Sequence, residues 1–119
     1  MIKTLEKIIA YAAVVAEPEM IILFGSMADN KANIFSDVDL LIITSNKTEK
    51  RHITSMIESF SKELSLKTDV LIYSKAEIEK EFLVPNSFLA GIVKAGKLVW
   101  SDGMSGSKYV IPSINTVIK

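Results

Sequence analysis

The chain has 119 residues, and its 14 Lys and Arg side chains balance its 14 Asp and Glu side chains, so the formal net charge at pH 7 is zero. A protein that binds nucleic acid without regard to sequence usually carries an excess of positive charge, which pairs with the phosphates. We therefore expect no general nucleic-acid binding here. The chain has no cysteine, which excludes disulfides and thiolate metal sites, and no apolar run of the ~18 residues that cross a membrane. We therefore expect a cytoplasmic protein without a membrane segment.

The first third of the chain predicts a helix followed by two strands. Thr4 is the candidate N-cap of the helix, and Pro18 marks its end. Apolar residues recur at helical spacing between them, namely Leu5, Ile8, Ile9, Ala12 and Ala13. The apolar run Met20–Phe24 is typical of a strand that is buried on both faces, and residues 37–43 predict a second strand. Between them, residues 27–35 have a mixed pattern that suggests one helical turn and a loop.

A second helix and a third strand are predicted next. Asn46 followed by Glu49 resembles a capping box, in which two side chains satisfy the free N–H groups at the start of a helix. Residues 68–73 then predict the third strand. The apolar stripe of the helix consists of Ile53, Met56, Ile57, Phe60 and Leu64.

Two further helices are predicted after the third strand. Ser74 and Glu77 form a second capping-box pattern, for a short helix that reaches Phe82. A further helix restarts at Pro85 and Asn86, and Gly96 closes it.

The order of these elements indicates the fold class. Residues 97–100 predict the last strand, so strands and helices alternate, as in an α/β domain. Because no full helix separates the first two strands, we expect an α+β-like arrangement, a mixed β-sheet flanked by helices. We assign residues 1–101 to this domain and residues 102–119 to a loosely specified C-terminal tail. The hydrophobic fraction of 49% is high for a small domain, so we expect a partner protein or a second copy to cover some apolar surface.

A pair of carboxylates stands at the start of the second strand. Asp37 and Asp39 flank Val38, and residues two apart on a strand point to the same face. Two carboxylates so close repel each other unless a cation lies between them or solvent screens them. Carboxylate oxygens suit Mg²⁺, so a metal site and a solvated strand end are both compatible with the pattern.

Two other features accompany this pair. Gly25 and Ser26 follow the first strand directly, where a glycine would let the backbone approach a phosphate, or would merely form a tight turn with Ser26 as a helix cap. Asp69 lies at the start of the third strand, where it suits a third metal ligand, a general base or a solvated strand end.

The combination of these features resembles the signature of the polymerase-β nucleotidyltransferase superfamily, and in particular its minimal nucleotidyltransferase branch. In that family a Gly-Ser pair is followed after about ten residues by Asp-x-Asp, and a third Asp lies on a later strand. The resemblance covers roughly residues 15–101. The matching residues here are Gly25, Ser26, Asp37, Asp39 and Asp69.

The resemblance implies a nucleotidyltransferase fold and transfer of a nucleoside monophosphate from an NTP, with ATP as the expected donor, to an acceptor hydroxyl. Gly25 and Ser26 would bind the nucleotide phosphates. Asp37 and Asp39 would hold two Mg²⁺ ions, and Asp69 would share one ion and help to deprotonate the acceptor.

The resemblance also implies a partner. Small members of this branch are usually encoded beside a helical HEPN-domain protein, which they modify or mask as the antitoxin of a toxin–antitoxin pair. We therefore expect either a HEPN-type partner or a homo-oligomer. A high apolar content suits a chain that works within a complex.

One departure from the family pattern leaves a second function open. The family usually carries Arg-Gly after its Gly-Ser-x-Ala, whereas this chain has Asp29 and Asn30, which replace a positive charge near the phosphates by a negative one. Lys31 is a candidate substitute cation. The alternatives are therefore a weak or inactive binding module, acting as an antitoxin by occlusion or as a nucleotide sensor, and an unrelated α/β domain with chance spacing.

Other conspicuous residues favour structural roles. His52, the single histidine, lies on the polar side of its helix and is expected to be solvated. Phe60 and Trp100 are expected to belong to the core rather than to a base-stacking surface.

Overall fold

The computed structural model describes residues 2–25, 37–44 and 49–102. Within these ranges it contains four helices and four strands, in the order predicted from the sequence. The elements are α1 (Ile2–Ala16), β1 (Met20–Phe24), β2 (Val38–Thr44), α2 (Lys50–Glu63), β3 (Thr68–Ser74), α3 (Lys75–Phe82), α4 (Phe88–Ala95) and β4 (Lys97–Ser101).

The four strands form one mixed sheet in the order β3-β2-β1-β4, which confirms the predicted fold class. β1 is antiparallel to both of its neighbours, whereas β2 and β3 are parallel. Helix α2 connects β2 to β3 and supplies the crossover that a parallel pair requires.

Helices cover both faces of the sheet, so β2 contributes to two apolar clusters. Val38, Leu40 and Ile42 pack in a cluster with α1 and α2. Leu41 and Ile43 point to the opposite face and pack with α3 and α4. Burial on both faces explains why this strand is a continuous apolar run instead of an alternating one. By the same alternation, Asp39 belongs to the face of α3 and α4.

Helix α1 begins earlier than predicted. It starts at Ile2, so Thr4 lies inside its first turn and is not the N-cap. It ends at Ala16, two residues before Pro18, as expected. The predicted apolar positions of α1 are largely confirmed, because four of them are fully buried, namely Leu5, Ile8, Ile9 and Ala12.

Helix α2 begins later than its predicted capping box. Glu49 is the N-cap and makes no side-chain cap hydrogen bond, so the assignment of Glu49 to the third helical position was wrong, while Asn46 lies outside the described residues. Ile53 and Ile57 are buried as expected. Phe60 is only partly buried and stacks on Tyr11 of α1, with ring centroids 4.3 Å apart.

A buried polar contact between α2 and β3 was not anticipated. The Ser61 hydroxyl donates to Thr68 Oγ1 at 2.6 Å, and both residues are almost inaccessible to solvent. Ser61 also lies 3.2 Å from the carbonyl oxygen of Ile57. This pair ties the end of α2 to the start of β3, next to Asp69.

Replacement of Ser61 tests the strength of this contact. Ser61→Ala should lower the free energy of unfolding by about 1–3 kcal/mol, because it leaves the buried Thr68 hydroxyl without its partner. Chemical denaturation measures the change. Ser59→Ala, at an exposed position of the same helix, is the control and should change stability little. Equal effects at the two positions would show that the buried hydrogen bond is unimportant.

The capping box of α3 is confirmed. The Ser74 hydroxyl accepts from the Glu77 N–H at 3.1 Å, and Glu77 Oε1 accepts from the Ser74 N–H at 2.8 Å. Glu77 Oε1 also accepts from Lys50 Nζ at 2.6 Å, which joins the first turns of α2 and α3. The Lys50 hydrogen bond, followed by that from the Ser74 backbone, lowers the pKa of Glu77.

This lowered pKa gives a pH-dependent prediction. Because Glu77 binds protons less readily in the folded state, its contribution to stability is present above its ordinary pKa and is lost as the pH falls through the lowered value. Glu77→Gln should therefore be less stable than wild type at neutral pH, with a difference that disappears in acid. Thermal melts at a series of pH values measure it, and a pH-independent difference would contradict the assignment.

Helix α4 begins at Phe88, three residues after Pro85 and two after Asn86, where the helix was predicted to restart. Its N-cap is Ser87, whose hydroxyl accepts from the Ala90 N–H at 3.0 Å. Gly96 closes the helix as predicted. It does so because a Cβ there would lie 2.6 Å from Ile22 Cγ2, so only glycine lets the chain turn this close to β1.

The remaining expectations concern the membrane and the tail. No helix within the described residues is long and apolar enough to cross a membrane. Asp102, the last described residue, donates its N–H to the carbonyl oxygen of Glu19 at 3.0 Å. Residues 103–119, which make up nearly all of the predicted tail, lie outside the described residues, as does the predicted turn at 27–35.

Candidate active site

Three of the predicted site residues lie at the same end of the sheet on neighbouring strands. Phe24, the last residue of β1, pairs with Asp39 of β2. Asp39 in turn pairs with Asp69 of β3. Gly25 directly follows Phe24, so the glycine and the two carboxylates converge. Ser26 lies outside the described residues, so its predicted role in phosphate binding is untested.

Gly25 is required by both its conformation and its surroundings. Its φ angle is +77°, in the left-handed region that glycine adopts readily and other residues rarely adopt. A Cβ at this position would overlap Oδ2 of Asp39 and lie 3.2 Å from Cγ. The backbone of Gly25 therefore lies directly against the Asp39 carboxylate.

Asp39 is the electrostatic centre of this site. Burial raises the pKa of Asp39, and the nearby charges of Asp69 and Asp37 raise it further, while Lys67 opposes them. A side-chain hydrogen bond with Asp69 raises the pKa of Asp39 in the same direction. Among the described residues, the charges of Asp37 and Asp69 act on Asp39 against that of Lys67, and this excess of negative charge favours a bound cation.

Asp37 has a partner that the sequence analysis missed. Lys67 Nζ lies 3.7 Å from Asp37 Oδ2, and both side chains are substantially exposed. The two residues meet because they immediately precede the parallel strands β2 and β3, where the Val38 N–H donates to the Lys67 carbonyl at 2.9 Å. An exposed pair of this kind is weak, so Asp37 can exchange Lys67 for another cation at little cost.

The donor chemistry of the site suits Mg²⁺, which prefers carboxylate oxygens and usually completes its shell with water and phosphate. Across residues 2–25, 37–44 and 49–102, however, no three Asp, Glu, His or Cys side chains are grouped tightly enough to hold a metal ion on their own. The structure therefore shows two converging carboxylates, Asp39 and Asp69, and a third, Asp37, that is paired with Lys67.

Two grooves border this site. One, of about 390 Å³, lies between the end of α2 and the start of β3 and includes Lys62, Lys67 and Asp69. The other, of about 320 Å³, lies between Gly25 and α4. Neither groove could be inferred from the sequence, because each depends on how a helix lies against the sheet.

Three conspicuous residues were expected to have structural roles. His52 is exposed on α2, as predicted. Trp100 is buried in the cluster formed with α1 and α2, and Phe60 packs against the same cluster.

Comparison with known proteins bears on the whole domain. No curated protein matches the chain. The family model described as "Polymerase beta, Nucleotidyltransferase" matches residues 6–103, which include every strand and helix from β1 to β4 and each candidate site residue. This agrees with the mixed sheet, with the converging carboxylates, and with a general role in nucleotidyl transfer. The chain belongs to the polymerase-β nucleotidyltransferase family.

Proposed function

We propose that the protein transfers a nucleoside monophosphate from an NTP, with ATP as the first donor to test, to an acceptor hydroxyl. The observation that carries the proposal is the Asp39–Asp69 pair lying beside the backbone of Gly25. The absence of a side chain lets the Gly25 backbone lie against the Asp39 carboxylate, so a phosphate bound by this backbone would lie next to carboxylates that attract a cation.

Each residue has a defined part in the reaction. Asp39 and Asp69, with Asp37 released from Lys67, would hold two Mg²⁺ ions, which when bound polarise the attacking oxygen and stabilise the leaving group. Asp69 is exposed and accepts the proton of the acceptor hydroxyl. The acceptor oxygen bonds to the α-phosphorus while the bond to pyrophosphate breaks. Gly25 and Ser26 bind the β- and γ-phosphates.

The groove beside Asp69 offers a path for the acceptor. Lys62 and Lys67 line it, and β3 is an edge strand, so an acceptor reaches Asp69 without crossing the rest of the sheet. The proposal therefore assigns the groove beside β3 to the acceptor.

A HEPN-type helical protein is the proposed acceptor and partner, in a toxin–antitoxin pair, with a second copy of this chain as the other candidate. Three consecutive apolar side chains at the end of α3 and just after it support the need for a partner, because Phe82, Leu83 and Val84 are 47%, 83% and 51% exposed. Exposed apolar surface of this kind commonly marks a site of protein association.

A nucleotide-binding module without catalysis is the second candidate. Asp29 and Asn30 favour it, since they remove the positive charge that the family carries near the phosphates. The pairing of Asp37 with Lys67 also favours it, because one candidate metal ligand is engaged elsewhere.

Calorimetric titration with a non-hydrolysable ATP analogue, with and without Mg²⁺, tests both candidates. We expect wild type to bind only with Mg²⁺ and the double variant Asp37→Asn/Asp39→Asn not to bind. Incubation of the Mg²⁺-loaded protein with ATP labelled at the α-phosphate and a co-expressed helical partner then separates them, because only an enzyme transfers the label. Absence of nucleotide binding by wild type would contradict both.

A further inference from the structure

The groove between β1 and α4 has no part in the metal and phosphate binding proposed above. Phe24 and Gly25 form one side of it, and Phe88, Gly91 and Ile92 of α4 form the other. Its volume of about 320 Å³ is within the range of small-molecule sites, roughly 300–1,000 Å³.

The described lining of the groove is almost entirely apolar. Phe88 is 68% exposed, so most of its side chain is accessible to a ligand. Ser87 is the one lining residue in the described part of the chain with a polar side chain, and its hydroxyl caps α4. The groove therefore offers two aromatic residues and a mainly apolar lining, with few described side chains for directional hydrogen bonds.

The groove adjoins the carboxylate pair. Phe24 is the register partner of Asp39, and the backbone of Gly25 lies against the Asp39 carboxylate. A ligand that places its phosphates at Gly25 thus has the groove within reach of the remainder of the molecule. In a nucleotide that remainder ends in a planar base, which aromatic side chains bind by stacking.

We propose that this groove receives the base of the nucleotide, an inference that rests on the proposed function. Phe88 and Phe24 provide the apolar contact, and Gly91 leaves the space open. Because the described lining lacks a set of free polar side chains, the groove binds a base by shape and stacking rather than by reading its hydrogen-bonding edge. ATP and GTP are therefore both ligands of the groove.

The most direct test of the groove is a substitution at Gly91. A Cβ at Gly91 meets no atom within 4 Å, so a larger side chain enters the open groove instead of striking the protein. Gly91→Leu should fill the groove while α4 stays folded. Phe88→Ala removes an exposed ring and provides an independent variant. Lys94→Leu, which puts the same leucine at an exposed position of α4 outside the groove, is the matched control.

The experiment compares Mg²⁺-ATP, Mg²⁺-GTP and inorganic Mg²⁺-tripolyphosphate as ligands of each folded variant. Gly91→Leu and Phe88→Ala should bind both nucleotides about tenfold more weakly, the size of a lost stacking contact, and should bind tripolyphosphate as wild type does. Lys94→Leu should match wild type for all three ligands.

The results separate the two proposals. Undiminished nucleotide binding in both variants, or equal losses for nucleotides and tripolyphosphate, would overturn the base groove and leave nucleotidyl transfer standing. Wild-type protein that binds tripolyphosphate as tightly as ATP would likewise overturn the groove. Wild-type protein that binds none of the three ligands would overturn the proposed function together with the groove.

Discussion

Asp39→Asn should reduce nucleotidyl transfer by at least about 10³-fold, because a metal-binding carboxylate contributes several kcal/mol of charge stabilisation in the transition state. Asp39 lies between the other two parts of the site, since it pairs with Asp69 across the sheet and lies against Gly25. An amide has the same shape but no charge, so the substitution removes the cation-binding property and keeps the packing. Initial rates with a labelled NTP measure the loss.

The same variant should be at least as stable as wild type in buffer without Mg²⁺. Burial and the charges of Asp69 and Asp37 raise the pKa of Asp39, so the folded state holds its proton more tightly than the unfolded state does. Stability associated with Asp39 therefore falls as the pH rises from its ordinary pKa through the raised one. The amide of the Asp39→Asn variant does not titrate and has no such penalty, so the variant's advantage should grow over that pH window.

A second aspartate serves as the control for the loss of activity in Asp39→Asn. Asp102 lies at the opposite end of the sheet, next to the pairing of Met20 with Ser101, so Asp102→Asn should retain full activity. A folded Asp39→Asn protein with wild-type turnover would refute the assignment of Asp39 to the reaction. A large loss of stability in Asp39→Asn would show instead that its carboxylate is a structural group.

The sequence was sufficient to predict what depends on local pattern. The run Met20–Phe24 is a strand with the predicted bounds, because its apolar residues can be buried only between two layers. The order of elements implied a mixed sheet, and the capping box of Ser74 and Glu77 is present because its chemistry is confined to four consecutive residues. Asp39 and Asp69 were expected near each other from the family resemblance, and the parallel register places them side by side.

Features that depend on register or on helix placement could not be predicted in this way. Lys67 reaches Asp37 only because β2 and β3 are paired without a shift, and nothing in either local sequence specifies that pairing. Ser61 lies outside the predicted apolar stripe of its helix, yet it faces Thr68 across a buried contact. The starts of α1, α2 and α4 were each displaced by two or more residues, since several nearby polar residues can cap a helix equally well.

Gly25→Ala should lower activity by about 100-fold, the loss expected when a reacting group is displaced by roughly 1 Å. Two effects act together at this position. A side chain destabilises the left-handed conformation at φ +77° by about 1–2 kcal/mol. The new Cβ would also overlap the Asp39 carboxylate, which must move away from its position beside Asp69. Steady-state kinetics and binding of Mg²⁺-tripolyphosphate together measure the damage.

Gly91→Ala is the matched control, because the same substitution at the second glycine meets none of these obstacles. Gly91 lies inside α4 with open space around its Cα, so alanine should raise the free energy of unfolding by about 0.5–1 kcal/mol through its better helix propensity. Opposite signs in the two stability measurements would establish that alanine is unfavourable at position 25 because of the φ angle and the Asp39 contact of Gly25, and not because every glycine-to-alanine substitution destabilises this fold. Full activity in Gly25→Ala would mean that the backbone and carboxylate rearrange without consequence, and that the reaction does not depend on their contact.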